Sequence, residues 1–469
     1  MKNFTLYILL IMLTNTLHSQ CFSKISSGNY HNVGIKPNGT IYTWGNRSNG
    51  LGTLGLGTAT GPAILAPTQV GTATNWTSIS TGKSNTFAIK SDGTLWGTGY
   101  DNYGQVGDGT FGTSHVIYTF IQIGTATDWK TTSGTRDSTI GLKTNGTLWG
   151  WGFNNNGQVG DGTTTERHTP IQIGTNTNWK AITSGGSFNV ALKTDGTLWA
   201  WGYNSALGVG DLSTPYFTSP LQVGTDTNWS TVVAGASHIL ALKNDGSLFS
   251  FGGGSNNNNS EMGHGLSWVG PYNTPLQIGT DSNWQSVSAG FNTSYAIKTD
   301  GTLWAWGQND LGQLGDGTTV DKGYPTQIGT DTNWASMQAG FQHCIALKTD
   351  GSLWAWGDNS MSQLGIGTTS SSSVPVQIAV AGCALGNDVF EKAPLNLYPN
   401  PTNDKVTLDN SEAHYNNVIV YNYLGQEVTQ QKLFYTNNQD IDLSGFSSGV
   451  YLFKLQSETS SETIKVVKK

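Results

Sequence analysis

The chain has 469 residues, only 11% of them charged, and a formal net charge of −7. No stretch concentrates Lys and Arg, so the sequence lacks the basic surface with which proteins bind phosphate backbones, and nucleic acid is not expected as a partner. Its 62 glycines and 17 tryptophans are unusually many, and both residue types follow a repeat.

The N-terminus predicts a signal peptide. Lys2 is followed by an apolar run from Phe4 to Leu13 and a more polar stretch to Gln20. The run is too short to span a bilayer, so we expect residues 1–20 to be removed on export. Cys21 leaves open a lipid anchor, although Gln20 fits poorly before a lipidated cysteine. No other segment is predicted to cross a membrane.

From residue 21 onward, one pattern of about 50 residues occurs seven times. Its clearest copy starts at Trp179 and contains A-L-K-T-D-G-T-L-W-A-W-G from Ala191 to Gly202. The glycine of its Asp/Asn-Gly turn recurs at intervals of 54, 53, 50, 50, 55 and 50 residues, at Gly39, Gly93, Gly146, Gly196, Gly246, Gly301 and Gly351. A period of this length indicates a repeat architecture.

Each copy predicts four short strands, the fourth lying near residues 171–173 at the end of the preceding copy. Asp195-Gly196 predicts a type I′ hairpin between the second and third strands. A lone four-stranded sheet cannot bury both faces, so neighbouring sheets must pack on it. The predicted fold class is therefore all-β, a seven-bladed β-propeller over residues 21–383 followed by a small β-sandwich.

Tryptophan supports this register, because 16 of the 17 occupy repeat positions and only Trp268 does not. Along the third strand, Trp199 and Trp201 should face one neighbouring blade while Leu198 and Ala200 face the other. We interpret the repeated tryptophans as packing between blades rather than as ligand platforms.

The repeat resembles that of the regulator of chromosome condensation family. The resemblance rests on G-F-Q-H-C-I-A-L-K-T-D-G-S-L-W-A-W-G from Gly340 to Gly357 and on N-D-L-G-Q-L-G-D-G-T from Asn309 to Thr318. It covers about residues 22–382 and implies a seven-bladed propeller. It also raises guanine-nucleotide exchange on a small GTPase. The inserted wedge and basic surroundings of the eukaryotic exchange factor have no clear counterpart here.

Residues 384–394 are predicted to be a linker, and residues 395–469 a second domain. That domain opens with L-N-L-Y-P-N-P at Leu395, contains L-G-Q-E-V and S-G-V-Y, and ends in a basic, valine-rich run. This order resembles the type IX secretion C-terminal sorting domain, with an ordinary accessory sandwich as the alternative. The resemblance implies a Bacteroidetes-type Gram-negative source, passage through the periplasm and contact with the type IX secretion machinery. The protein is then expected outside the cell or on the outer-membrane surface.

The sequence contains no convincing catalytic motif. Gly82-Lys83-Ser84 resembles the end of a phosphate loop, but Thr77 stands where the first glycine is needed. One ring position, three residues after the glycine that ends each first strand, holds His31, Asn85, Asp137, Phe188, His238, Thr293 and His343. Three histidines and an aspartate could bind a metal. We expect instead that each polar residue bonds to its own turn, and we predict no metal, cofactor or catalysis.

The most variable part of the repeat lies between the G-D-G-T turn and the fourth strand. This loop should emerge on one face of the ring, where exposed Tyr and Trp beside Ser, Gly and Asn are typical of protein-binding loops. Its candidate binding residues are Phe111, Tyr118, Tyr216, Phe217, His264, Trp268, Tyr272 and Tyr324, with Trp268 as the anchor. The leading hypothesis is a non-catalytic module for a protein partner. A glycan-binding adhesin and an enzyme with a site at the central channel are the alternatives.

The three cysteines lie at informative positions. Aligning Phe22 with Trp179 places Cys21 at the position of Asn178, and counting from Ile378 places Cys383 at the same position. Cys21 at the start of the propeller and Cys383 at its end therefore occupy the same position of the repeat. In a closed ring, the two ends of the propeller chain should meet at this position. In an oxidising compartment, this predicts a disulfide between Cys21 and Cys383, while Cys344 should stay a buried free thiol.

Overall fold

The structure is a computed structural model. It describes residues 21–47, 50–57, 61–135, 137–204, 207–211, 213–253, 259–265, 271–380, 397–408, 416–423, 425–433, 439–456 and 461–469. The chain divides into two compact units, residues 1–386 and 387–469, and each is described by itself.

The first unit contains seven four-stranded antiparallel sheets, each built from one continuous segment. Blade 1 has β1 (Lys24–Ser27), β2 (His31–Ile35), β3 (Ile41–Gly45) and β4 (Ile64–Gln69), and blade 2 has β5 (Trp76–Thr81), β6 (Asn85–Lys90), β7 (Leu95–Tyr100) and β8 (Val116–Gln122). Blade 3 has β9 (Trp129–Gly134), β10 (Ser138–Lys143), β11 (Leu148–Gly152) and β12 (Arg167–Ile173), and blade 4 has β13 (Trp179–Ser184), β14 (Phe188–Lys193), β15 (Leu198–Tyr203) and β16 (Tyr216–Val223).

Blade 5 has β17 (Trp229–Ala234), β18 (His238–Lys243), β19 (Leu248–Gly252) and β20 (Tyr272–Gln277), with a 3-10 helix, Asn259–Met262, between its last two strands. Blade 6 has β21 (Trp284–Ala289), β22 (Thr293–Lys298), β23 (Leu303–Gly307) and β24 (Lys322–Gln327), and blade 7 has β25 (Trp334–Ala339), β26 (His343–Lys348), β27 (Leu353–Gly357) and β28 (Ser372–Gln377). The first strand of each blade contacts the first strand of the next, and β25 contacts β1. The seven blades therefore form a closed ring, which confirms the predicted propeller.

The turn between the second and third strands explains the Asp-Gly-Thr signature. The Asp195 carboxylate accepts hydrogen bonds from the backbone N–H and the hydroxyl of Thr197, at 3.0 and 2.6 Å. Gly196 has a φ of +78°, and a Cβ there would lie 2.1 Å from the Thr227 carbonyl oxygen. In all seven blades the Asn or Asp side-chain oxygen of this turn accepts an equivalent bond from a Thr or Ser hydroxyl.

The type I′ prediction for this turn is wrong. A type I′ turn needs positive φ at both central residues, and Asp195 is not among the described residues with positive φ. Gly196 N–H bonds to the Lys193 carbonyl, and Lys193 N–H bonds to the Thr197 carbonyl. The connection is therefore a longer loop that ends in a left-handed glycine, because the Asp side chain stabilises the backbone ahead of it.

The hydrophobic core lies between the blades. Trp201 is fully buried with Ile140, Leu142 and Ile173 of blade 3, while Ala200 packs with blade 5 residues such as Phe251. The indole N–H of Trp201 also donates to the Gln158 carbonyl of blade 3 at 3.0 Å. The predicted orientation of the two faces of the third strand is therefore confirmed.

A second tryptophan motif lies near the turn between the second and third strands of the blades. In six of them the first-strand tryptophan contacts the aromatic residue of the third strand, and one lysine ammonium lies 3.8–5.1 Å from both ring centroids. In blade 4 these residues are Trp179, Trp199 and Lys193, with 6.0 Å between the two rings. Each such lysine adds a cation–π contact to the aromatic pair.

The ring closes between blades 7 and 1. Cys21 N–H donates to the Gly351 carbonyl at 3.2 Å, and Phe22 is buried in a cluster with Leu353 and Ile378. Cys21 is disulfide-bonded, and Cys344 is a buried free thiol. Cys383 lies outside the described residues, as do residues 1–20, so the Cys21–Cys383 pairing and the signal peptide stay predictions.

The second unit is a small β-sandwich. One sheet contains β29 (Leu397–Tyr398), β30 (Lys405–Leu408) and β33 (Gln439–Asp442), and the other contains β31 (Asn417–Asn422), β32 (Glu427–Lys432), β34 (Gly449–Gln456) and β35 (Ser461–Lys468). Leu408 and Ile441 of the first sheet share one core with Val420 and Phe453 of the second. Within the described ranges of the whole chain, no helix has the length and apolarity that a membrane crossing needs.

Candidate functional site

The ring position with three histidines is buried inside the joints between blades. His31 Nε2 lies 3.0 Å from Thr86 Oγ1, His238 Nε2 lies 2.9 Å from Ser294 Oγ, and His343 Nε2 lies 3.0 Å from Asn32 Oδ1. Each partner belongs to the next blade. The expectation that these side chains bond to their own turns is therefore wrong for the histidines.

The glycine three residues earlier makes room for each ring. A Cβ at Gly28, Gly235 or Gly340 would lie 2.2–2.3 Å from the Cε1 atom of the following histidine. Burial lowers the pKa of His31 and of His238 to about 4, and that of His343 to about 3. The histidines are therefore neutral structural groups at physiological pH.

These lowered pKa values predict acid sensitivity. The unfolded chain takes up a proton on each histidine below pH about 6.5, whereas the folded chain resists until about pH 4. Stability should therefore fall as the pH drops through this window. A His238→Asn variant should reduce the slope of unfolding free energy against pH by about 1.4 kcal/mol per pH unit. This is the slope that results when the unfolded state binds one more proton than the folded state. Urea denaturation at several pH values measures this slope, and an unchanged slope would disprove the assignment.

The first strands enclose a central cavity of about 1070 Å³. Its wall is rich in hydroxyl groups, but many already bond across blades: Ser26 to Thr81 at 2.9 Å, Ser80 to Thr132 at 2.5 Å, and Thr183 to the Ala234 N–H at 3.0 Å. These hydroxyls join neighbouring blades and are not free to hold a ligand.

In each blade a turn joins the first strand to the second at one end of the cavity, which we call the mouth. Backbone hydrogen bonds link such turns between neighbouring blades in two separate parts of the ring. Lys83 N–H donates to the Thr135 carbonyl, and Ala236 N–H donates to the Gly290 carbonyl. Around blades 6, 7 and 1 an aromatic trio lies at the mouth. Phe341 has its ring centroid 4.2 Å from that of Phe291 and 5.6 Å from that of Tyr30.

Sequence reasoning missed this aromatic trio, Phe291, Phe341 and Tyr30. The available signal was weak, because the turn after the first-strand glycine carries an aromatic residue in only three of the seven copies. Phe291 is 39% exposed, Phe341 and Tyr30 are partly exposed, and Phe291 and Phe341 line the cavity.

The candidate face predicted from the sequence is only partly made of loops. Tyr118, Tyr216, Phe217, Tyr272 and Tyr324 all lie within the fourth, outermost strands. The assignment of these five residues to a variable loop is therefore corrected: the alternating residues of an edge strand expose some of them and bury others.

Blade 4 shows this alternation clearly. Tyr216 is 36% exposed and pairs across the strands with Tyr203, which is 47% exposed. Phe217, the next residue, packs against the hydrophobic cores on both sides of its blade. Tyr203 and Tyr216 thus form an exposed aromatic pair, whereas Phe217 has a packing role.

Blades 5 and 6 are in contact at this edge. His264 and Tyr272 have ring centroids 5.2 Å apart, and His264 Nε2 lies 3.0 Å from Ser250 Oγ. Burial lowers the pKa of His264. Tyr324 is 64% exposed, and a Cβ on Gly265 of blade 5 would lie 3.1 Å from its hydroxyl oxygen. Trp268 lies outside the described residues.

Blade 2 contributes a separate aromatic contact. Phe111 is 54% exposed and stacks on His168 of blade 3, with ring centroids 3.6 Å apart. Tyr118 is half-buried, and its carbonyl accepts a hydrogen bond from Gly57 of blade 1 at 2.8 Å. The structure therefore places five of the described candidates on three consecutive blades, 4 to 6, and leaves Phe111 and Tyr118 at other joints of the ring.

The residues that line the cavity carry almost no net charge. Among its described lining residues, only Lys83 and Glu261 are of charged types. No group of three or more His, Cys, Asp or Glu side chains that could hold a metal occurs in the described part of the chain. The arrangement supports binding through aromatic and polar contacts.

Comparison with known families and proteins agrees with this architecture. A model of the RCC1-like domain matches residues 138–390, and models of the regulator of chromosome condensation (RCC1) repeat match residues 22–51, 76–105 and 38–89. The secretion system C-terminal sorting domain matches residues 396–469. That tail indicates export to the cell surface or secretion.

Curated relatives match over shorter stretches. The ultraviolet-B receptor UVR8 of Arabidopsis thaliana is 27% identical over 143 residues, 30% of this chain and 32% of UVR8. The probable E3 ubiquitin-protein ligase HERC3 of Homo sapiens is 31% identical over 97 residues, 20% of this chain and 9% of HERC3. This chain thus matches about a third or less of either protein.

Solved structures resemble the propeller over most of their length. Human WBSCR16 has a TM-score of 0.64 at 19% identity, covering 73% of this chain and 94% of that chain. Prp20p of Saccharomyces cerevisiae has a TM-score of 0.63 at 20% identity, covering 74% and 87%. These likenesses show the fold, and the RCC1-like domain model alone matches more than half of the sequence. The chain therefore belongs to the RCC1-like domain family.

Proposed function

We propose that this exported propeller is a non-catalytic binding module and that its partner is a protein outside the cell. The observation that carries the proposal is a set of tyrosines on three consecutive blades: the exposed Tyr203 and Tyr216 on blade 4, the half-buried Tyr272 on blade 5 and the exposed Tyr324 on blade 6. Exposed aromatic side chains of this kind supply large contact areas at low cost in side-chain entropy.

The positions of these tyrosines support the proposal. Tyr203, Tyr216 and Tyr324 are 47%, 36% and 64% exposed, so they contribute little to the core. Tyr272 begins β20, between the other two blades, and contacts His264. The low charge of the chain favours a partner recognised by apolar and hydrogen-bonded contacts rather than by charge alone.

Trp268 is kept in the proposal as the anchor. In the sequence it falls between β19 and β20, and it is the one tryptophan outside the repeat register. A central aromatic anchor typically contributes about 2 kcal/mol or more to binding. A Trp268→Ala variant should therefore bind more weakly while its melting temperature stays close to that of the wild type.

A double variant tests the tyrosine surface. Tyr216→Ala with Tyr324→Ala should weaken partner binding by about 2 kcal/mol, roughly thirtyfold, if both side chains are central to the interface. The readout is binding of the secreted protein to a panel of extracellular proteins. Leu65→Ala is the matched control, because Leu65 is 41% exposed on the outer strand of blade 1. Equal binding by the double variant and the control would contradict the proposal.

A glycan ligand is the second candidate. The aromatic trio of Phe291, Phe341 and Tyr30 beside a nearly uncharged cavity favours it, because sugar rings stack on aromatic faces. A glycan array, probed with the wild type and with a Phe341→Ala variant, separates the two candidates. Binding to one class of glycan that is lost in Phe341→Ala, with no protein bound, would favour the adhesin.

A further inference from the structure

Glu261 occupies a position where the other blades place neutral side chains. The equivalent residues are Thr53, Gln105, Gln158, Ala206, Gln313 and Gln363. In four blades the glutamine Oε1 accepts a hydrogen bond at 2.8–2.9 Å from the backbone N–H two residues earlier, which braces the loop. Glutamine at this position therefore has a structural role.

The backbone of Glu261 performs the shared structural role by itself. Its carbonyl accepts hydrogen bonds from Trp306 Nε1 at 2.9 Å and from Ser294 Oγ at 2.8 Å. The Gln158 carbonyl in the same way accepts bonds from Trp201 and Asn189. The joint between blades 5 and 6 thus needs a carbonyl at residue 261 and does not need a carboxyl group.

The Glu261 carboxyl is buried, and one of its oxygen atoms lacks a hydrogen bond from any described residue that would offset the loss of water. The residue is 4% exposed, and its Oε2 atom has no hydrogen-bond partner among the described residues. Burial, together with the negative charge of Asp321, raises the pKa of Glu261 to about 7. An unpaired buried carboxylate is costly, so a glutamate at this site calls for an explanation outside the fold.

The neighbouring cations are already paired. The 3-10 helix that carries Glu261 packs against β22, β23 and β24. On β22, Lys298 pairs with Asp281 at 2.7 Å, and on β24, Lys322 pairs with Asp316 at 3.1 Å. The lysines of these strands are therefore paired with other carboxylates, and no ion pair of Glu261 is found among the described residues.

Glu261 is one of the residues that line the central cavity. Gly253, Glu261 and Pro271 line it together with Tyr203 of blade 4 and the inner turns, so the cavity extends from the channel outward over blade 5. Many of the wall hydroxyls have partners in neighbouring blades, whereas Glu261 Oε2 has none within the described part of the chain. A ligand in this part of the cavity would lie beside Glu261, whose buried Oε2 is an unsatisfied acceptor among the described residues, and beside Tyr203, which lines the same cavity.

We propose that Glu261 is the acidic anchor of a ligand site at the blade 5 end of the cavity, and that this site takes a cationic nitrogen of a basic side chain on the partner protein. The inference deepens the proposed function and rests on it for the source of the basic side chain. A lysine or arginine there would neutralise the carboxylate and satisfy Oε2 in one contact.

The test uses small probes and the purified exported protein. N-acetyl-lysine methylamide supplies the ammonium group, and N-acetyl-norleucine methylamide is its neutral counterpart. Saturation-transfer NMR should show saturable binding of the lysine probe to the wild type at pH 7.5. Affinity should fall about tenfold or more in Glu261→Gln, because a charged hydrogen bond is lost. The norleucine probe should bind neither protein.

Two controls keep the result interpretable. Glu261→Gln should fold, because glutamine occupies this position in four other blades, and its melting temperature should equal or exceed that of the wild type. Glu166→Gln removes the same charge from blade 3 and should bind the lysine probe like the wild type. Equal binding by Glu261→Gln, or no saturable binding by the wild type up to about 10 mM, would overturn the proposal.

Failure of this anchor is distinguishable from failure of the proposed function. If Glu261→Gln binds the lysine probe normally while the Tyr216/Tyr324 double variant loses its protein partner, only the acidic anchor is wrong. If the lysine probe depends on Glu261 but no extracellular protein is bound, the site takes a small cationic ligand and the protein-binding proposal fails.

Discussion

Replacing Trp201 with alanine is expected to lower the free energy of unfolding by about 3–5 kcal/mol. The indole is fully buried between blades 3 and 4 and packs on Ile140 and Ile173. Its N–H also donates to the Gln158 carbonyl, so the variant leaves both a cavity and an unpaired acceptor. Chemical denaturation followed by tryptophan fluorescence measures the loss.

Tyr203→Ala is the matched control for this prediction. It removes an aromatic side chain from the same strand, but one that is 47% exposed. Its effect on stability should stay within about 1 kcal/mol. Similar losses for the two variants would show that the tryptophans do not hold the blades together as described.

Replacing Lys468 with methionine is expected to abolish most of the secretion. The Lys468 ammonium is 7% exposed and donates to the carbonyls of Leu443 and Phe446, each at 2.7 Å, and of Ser444 at 3.3 Å. Methionine would leave these carbonyls without their cation, at a cost of about 1–3 kcal/mol for each unsatisfied group. A small sandwich is only marginally stable, so in a large fraction of the molecules the sorting domain should be unfolded.

The measurement compares protein outside the cell with protein held in the periplasm. Lys469→Met is the control, because Lys469 is exposed and its hydrogen bond to the Thr402 carbonyl comes from the backbone. The control should be secreted like the wild type. Normal secretion of Lys468→Met would show that the buried ammonium is not needed for sorting.

The ring was predictable because its signals are local and repeated. The hairpin glycine sets the period, and tryptophan at alternate residues of the third strand sets which face meets which neighbour. Both features follow from backbone geometry and burial, so seven copies reinforced one interpretation. The same was true of the sorting domain, whose motifs occur in a fixed order.

The turn type and the histidine contacts were predicted wrongly for physical reasons. Asp195-Gly196 is a common type I′ pair, but the Asp side chain bonds to Thr197 and stabilises a different backbone. The partner of His238 is Ser294, 56 residues away in the next blade. Local patterns do not show which side chains meet across a joint.

The candidate site depended even more on tertiary structure. Tyr216 and Phe217 are neighbours in sequence, yet one is exposed and the other packs in the core, because they point to opposite sides of an edge strand. The aromatic trio comes from three blades, and the unpaired Glu261 is evident only from its missing partner. These features require distances that a sequence does not contain.

The central claim is that blades 4 to 6 carry the partner-binding surface of an exported propeller. Photocrosslinking from the cell surface tests it most directly, with a photoreactive phenylalanine analogue replacing Tyr324 in one variant and Leu65 in another. We expect the residue 324 variant to crosslink to one extracellular protein and the residue 65 variant not to do so. Crosslinks of the same kind from both positions, or from residue 65 alone, would contradict it.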